Sequence, residues 1–233
     1  VASRRSYLAE QEARQESDTL YRAGEAINGA QSFEEVVRAV ARLGLKTDVI
    51  GMALYDHFDL ARAEGYQAYI LRVQDQPHRV YQQHERFEQY SHMKEFAVHD
   101  ALEIADIATD PVMPDKSREL YLGLGLQSLF GVTLRVGERV IGGIGFHECV
   151  ARRYSEQEKR LLTSIADMIS TAIERIRLQE QAEAGQRRAE KVAQISAALA
   201  RAANQASLGE AFSAFLQETG AAIIGQVGQA EVR

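Results

Sequence analysis

The single cysteine of this chain of 233 residues, Cys149, has no partner for an internal disulfide, which fits a reducing compartment and excludes a disulfide-stapled secreted scaffold. Proline is almost as scarce: it occurs only at Pro77, Pro111 and Pro114, so long stretches on either side run without a proline break. Tryptophan is absent. No apolar run approaches the 18 or more residues that would cross a bilayer, and the opening Val-Ala-Ser-Arg-Arg has no signal-peptide pattern. A cytoplasmic protein with no membrane segment in these residues is therefore expected. Positive charge is outnumbered, 27 Lys and Arg against 33 Asp and Glu. A nucleic-acid surface needs clustered cations to displace counterions, so no nucleic-acid partner is expected. The first residue is not Met, and an excised piece of a longer chain is the expectation.

Catalytic signatures are missing as well. There is no Gly-x-x-x-x-Gly-Lys-Ser/Thr phosphate loop, and Gly142-Gly143-x-Gly145 has no basic residue beside it, so these read as strand glycines. Neither a Gly-x-Ser-x-Gly elbow nor a His-Glu-x-x-His helix occurs. His147 and Cys149 share a strand face at i and i+2, but two soft ligands are too few for a metal. His78, His84, His92 and His99 are spaced by six, eight and seven residues, which matches no metal motif. No enzyme, metal site or cofactor is expected.

What is present is a soluble globular composition, 45% hydrophobic and 26% charged. Residues 4 to 28 read as helix, polar in the first half and carrying Leu20, Ala23 and Ile27 at helical spacing in the second. Ser32-Phe33-Glu34-Glu35 is a capping box opening a second helix with Val36, Val37 and Val40 on its stripe. Val49–Tyr55 and Tyr66–Val73 are short and apolar, as strands are, whereas 77 to 100 show no clean period. A short helix is predicted over 115 to 123. Ser128–Arg135 and Arg139–His147 flank a turn at Val136-Gly137-Glu138 and read as a hairpin. A second capping box, Ser155 to Glu158, opens a long helix whose Leu162, Ile165, Ile169 and Ile176 follow three-four spacing, a seam for another helix.

The chain also repeats itself. Leu20 to Val40 aligns with Ile195 to Phe215, placing Ser207-Leu208-Gly209-Glu210 in register with the first capping box. Asp48-Val49-Ile50-Gly51 then matches Ala222-Ile223-Ile224-Gly225 after one residue of slip. The predicted organisation is a helix over 1–19, a domain over 20–178, a helical linker over 179–194 and the start of a second, truncated domain over 195–233.

The order helix, helix, strand, strand, irregular segment, hairpin, long exit helix resembles the GAF domain. The resemblance is most specific from Ser128 to Leu178, in Gly131-Val132-Thr133-Leu134, Val140-Ile141-Gly142-Gly143-Ile144 and Tyr154-Ser155-Glu156-Gln157-Glu158 with Leu161-Leu162 and Ala172-Ile173. Ile104-Ala105-Asp106-Ile107 with Asp110-Pro111 also fits the family. The resemblance implies an α+β fold, a six-stranded antiparallel sheet with helices on one face and a small-molecule pocket on the other. Long N- and C-terminal signalling helices are implied to pair in a homodimer, with Leu162, Ile165, Ile169 and Ile176 as the dimer seam. Bilin-bearing relatives hold their pigment through a Cys near a His on the pocket side. Cys149 lies past the last strand, so no covalent chromophore is expected.

Strand alternation puts Gly51, Ala53 and Tyr55 on one face of the first strand, and Ile50, Met52 and Leu54 on the other. In the hairpin Gly131, Thr133 and Arg135 share a face, as do Gly143, Gly145 and His147. A face of small residues leaves volume above it, rimmed by Tyr55, Thr133, Arg135 and His147 and covered by Phe96, His99 and Tyr121. These seven are the candidate ligand-binding residues. Strand glycines equally mark bulges or close helix contact, and both readings stand at this point. The expected function is sensory or regulatory: a domain that binds a small molecule and relays signals through its dimer helices to a covalently attached output, a sensor histidine kinase of a two-component system. A structural dimerisation spacer, or a regulatory region of a diguanylate cyclase or phosphatase, is the alternative.

Overall fold

A computed structural model describes residues 2–87 and 97–230 and divides the chain into two units, residues 1–178 and 179–233. In the first, helix α1 (Ala2–Gly29) leads into α2 (Phe33–Ala41), then β1 (Val49–Tyr55), a tight turn at Asp56–Phe58, β2 (Gly65–Arg72), β3 (Tyr81–Arg86) and β4 (Ala101–Ile104). Helix α3 (Asp115–Gly123), the hairpin β5 (Ser128–Val136) and β6 (Arg139–Glu148), and the helix α4 (Glu156–Ala230) follow. The six strands form one antiparallel sheet in the order β3-β2-β1-β6-β5-β4. Closure of β1 against β6 brings together strands nearly a hundred residues apart, pairing Gly51 with Gly145 and Ala53 with Gly143.

Capping explains where the helices start. Ser32 Oγ accepts from the Glu35 amide at 3.3 Å, while Glu35 reaches back to the Gln31 amide at 2.7 Å rather than to Ser32 itself. At Ser155 the exchange is reciprocal: the Glu158 amide donates to Ser155 Oγ at 3.2 Å and the Ser155 amide to the Glu158 carboxylate at 2.8 Å.

The core lies between one sheet face and the helices. Ile50, Met52 and Leu54 of β1 meet Ile27 of α1, Val36, Val37 and Val40 of α2, and the inner face of α4. Leu162, Ile165, Ile169 and Ile176 belong to this core, between 0 and 6% exposed within the single chain. They correct the expectation of a dimer seam there. An apolar helix stripe reads alike in sequence whether it covers a sheet or another helix, and this one covers its own sheet. Each fully buried isoleucine contributes about 1.5–3 kcal/mol, more than an exposed seam would return before association.

The second unit is helical from residue 179 to 230. Ser207–Glu210 and 222–225, where the repeat predicts a cap and a strand, are part of that helix. Alanine dominates the segment and no proline interrupts it. A lone strand at 222–225 would have no ladder partner, whereas a helix satisfies its own backbone. Among the described residues this unit holds helix alone.

Candidate functional site

The sheet face opposite the core carries a cavity of about 430 Å³ roofed by α3. Its floor is laid in four cross-strand rows, successive rows lying about 7 Å apart because alternate residues share a face. Glu85, Tyr66 and Tyr55 form the first row, and Gln83, Ala68, Ala53, Gly143 and Thr133 the second. Tyr81, Ile70, Gly51, Gly145 and Gly131 form the third; Arg72, Val49, His147 and Leu129 the fourth. Ala68, Ala53 and Gly143 of the second row leave the volume open, while Gly51 and Gly145 of the third make room for the His147 ring. Larger ones close both ends.

His147 is built into the floor rather than the rim. It is 7% exposed, and its Nδ1 lies 3.3 Å from the Val49 carbonyl, which can only accept, so Nδ1 carries the proton. Burial pushes the imidazole down to about 4, against the opposing pull of hydrogen bonds with the Val49 and Gly145 backbone, and the ring is neutral near pH 7. It lies flat over Gly145: a Cβ there would stand 2.6 Å from the His147 Cε1, so only glycine admits the ring in this place. Tyr121 of α3 stacks on the ring, centroids 5.4 Å apart and planes 26° from parallel.

The roof is held by Arg118. Its guanidinium donates to the carbonyls of Ile107 (2.7 Å), Ala108 (2.7 Å), Asp110 (3.0 Å) and Met113 (2.8 Å), fastening α3 to the loop after β4. Arg72 Nη2 donates to the Leu124 carbonyl at 3.3 Å and ties the far end of α3 to β2. At the opposite end Phe87 packs against Tyr55 and Tyr66, with centroids 5.5 and 5.8 Å away. Tyr55 is 2% exposed, and burial raises its hydroxyl far above the ordinary tyrosine value, keeping it a neutral phenol.

Of the seven candidate residues, Tyr55, Tyr121, Thr133 and His147 meet at this cavity. Arg135 does not line it. The ladder slips between Leu134 and Arg135, and the Arg135 guanidinium pairs with Asp100 at 3.2 Å at the end of the sheet. His99 is exposed and contributes its carbonyl, which accepts from the Thr133 hydroxyl at 2.6 Å. Phe96 lies outside the described residues. The sequence reading missed Glu85, Gln83 and Tyr81 because β3 is almost wholly polar and has no apolar alternation to announce it. Leu120, Leu124 and Arg72 enter only through the tertiary approach of α3. Among the described residues no three His, Cys, Asp or Glu side chains gather as a metal site requires, and no helix is long and apolar enough to cross a membrane. Cys149 is exposed and outside the cavity lining.

The sequence model of the GAF domain matches residues 30–173, more than half of the chain. This chain belongs to the GAF family. Solved GAF structures share the fold at low identity. The GAF domain of a phosphoenolpyruvate-protein phosphotransferase from Coxiella burnetii superposes with a TM-score of 0.56 at 14% identity, covering 72% of this chain and 98% of that one. The phycocyanobilin-bound GAF domain of a cyanobacterial phytochrome gives 0.55 at 16% identity, over 70% of this chain and 96% of that one. The chromophore-binding domain of a bacteriophytochrome from R. palustris gives 0.56 at 13% identity, over 70% of this chain, and the match spans 61% of that longer protein. No curated protein matches the sequence.

Proposed function

We propose that this GAF domain is the regulatory part of a signal-transduction protein, binding a small molecule between its sheet and α3 and relaying occupancy through its flanking helices to a covalently attached output. The cavity over the Ala68, Ala53 and Gly143 row carries the reading: a sheet face that only filled space would place large side chains at 53 and 143, where this chain has Ala and Gly, whereas the glycines at 51 and 145 make room for the His147 ring. A relay follows from the alternation of β1. Gly51, Ala53 and Tyr55 face the cavity while Ile50, Met52 and Leu54 grip the helices, so a displacement of β1 by ligand is felt by α4. Tyr55 also leads directly into the Asp56–Phe58 turn. There Phe58 rests against Phe33, centroids 5.7 Å apart, and beneath the Arg177 guanidinium of α4 at 5.9 Å.

Pairing of two chains is part of the proposal, through a surface other than Leu162 to Ile176. Within residues 179–233, Val192, Ile195 and Leu199 are 58 to 66% exposed at three-four spacing, the pattern of a coiled-coil seam. The output is proposed to be a sensor histidine kinase, a choice resting on the company GAF domains keep.

Gly143→Leu tests the cavity reading. A Cβ at 143 meets nothing nearer than the Val132 carbonyl at 3.6 Å, so leucine enters the cavity without striking the backbone. In a thermal-shift screen of metabolites, a true ligand at a hundred times its Kd adds about 2.7 kcal/mol to wild type. The Gly143→Leu protein should not respond to it. Equal shifts in both proteins, or none in wild type, would defeat the reading.

A further inference from the structure

One acidic side chain of the cavity has no counterpart among the described residues. β3 is an edge strand with a single buried position, and that position is Glu85, 9% exposed. Tyr81, Gln83 and Glu85 alternate toward the cavity, while Gln82 and His84 face away to Glu34 and Asp56. Among the described residues the Glu85 carboxylate has neither a hydrogen-bond donor nor an ion-pair partner. The side chain is buried, but its carboxylate is not sealed from solvent and opens to the cavity. A carboxylate at the wall of a mostly apolar cavity, with no cation of the described residues beside it, attracts a cation from outside. Arg72, the cation in the cavity lining, cannot serve. Glu85 stands opposite Tyr66, six residues along β2 from Arg72, which sets the two about 20 Å apart.

The surroundings of Glu85 select the kind of cation. Tyr66 and Tyr55 complete its row and Phe87 packs on both rings, so the acid sits beside aromatic walls. Aromatic faces attract ammonium and guanidinium groups and bury the apolar body behind them. A divalent metal would need several oxygen ligands, and no group of three His, Cys, Asp or Glu side chains stands here among the described residues. From this arrangement we propose that the cavity takes an organic cation, an amine or guanidinium on an apolar body, with its charged group against Glu85 and its body over the Ala68, Ala53 and Gly143 row. The proposal rests on the cavity being a ligand site, as argued above.

Three probes of similar shape and different charge test it by titration calorimetry: phenethylammonium, neutral 2-phenylethanol and anionic 3-phenylpropionate. Wild type is expected to bind the cation at least tenfold more tightly than the alcohol and to bind the anion weakest. Glu85→Gln should abolish the tenfold preference and leave alcohol binding unchanged. Without ligand, Glu85→Gln should melt no lower than wild type, because among the described residues Glu85 makes no hydrogen bond or ion pair for the amide to lose; a glutamate that merely supported the strand would lower it. Binding of the alcohol as tight as the cation, or a preference that survives Glu85→Gln, would overturn the cation assignment and leave the cavity reading standing. Failure of all three probes to bind at millimolar concentration would overturn both.

Discussion

His147 makes the stability of this domain depend on pH in a way that can be worked out. In the folded protein burial holds the imidazole down to about 4, whereas in the unfolded chain it titrates near 6.5. Below pH 6.5 the unfolded chain therefore takes up a proton that the folded protein refuses, and acid favours unfolding. The contribution is fully present above pH 6.5 and is lost as pH falls toward 4, in total about 3 kcal/mol, of which about 2 kcal/mol is gone by pH 5. Urea unfolding at pH 8 and pH 5, on wild type and His147→Gln, isolates the effect. Glutamine keeps a polar group in the site and has nothing to titrate. Glu148, which burial raises, titrates in both proteins and cancels in the comparison. Wild type should lose about 2 kcal/mol more than the variant between the two pH values. Equal losses would refute the placement of His147 as a buried, neutral ring.

Further outcomes follow from the same contacts. Gly145→Ala sets a Cβ 2.6 Å from the His147 ring and should cost about 1–3 kcal/mol in thermal melts, with α3 loosened because Tyr121 stacks on that ring. Arg118→Ala takes a guanidinium donor from four carbonyls, of which Asp110 keeps the Met113 amide, and should cost about 2–3 kcal/mol, with hydrogen exchange accelerated in residues 107 to 113. Ile169→Ala should cost about 2–5 kcal/mol without altering the oligomeric state, since Ile169 lies in the core of its own chain. Ile195→Asp should do the reverse, abolishing pairing in sedimentation while the melt of the folded domain stays unchanged.

Much of the sheet was legible because its central strands are apolar and its turns are marked. Val49–Tyr55 and the hairpin around Gly137 stand within a residue or two of where alternation places them, and both capping boxes open helices. The small-residue face was legible too, since period-two alternation assigns Gly51 and Ala53 to one side before any partner is known. What alternation cannot show is what lies above a face. The stacking of Tyr121 on His147 and the approach of Leu120 and Leu124 depend on Arg118 fixing α3, a long-range consequence of four backbone carbonyls. Arg135 was misplaced by a slip in the ladder that leaves no mark in composition. The stripe Leu162 to Ile176 was read as intermolecular because periodicity records that a face is apolar and not what covers it. Polar β3 gave no signal, and Glu85 went with it.

Native mass spectrometry of the purified wild-type chain beside Gly143→Leu measures the central claim most directly, that the space over the Ala68, Ala53 and Gly143 row holds a small molecule. A retained adduct on wild type that is absent from Gly143→Leu is the predicted result. Wild type and variant carrying the same adduct, or wild type empty in every preparation and with every metabolite offered, would contradict it.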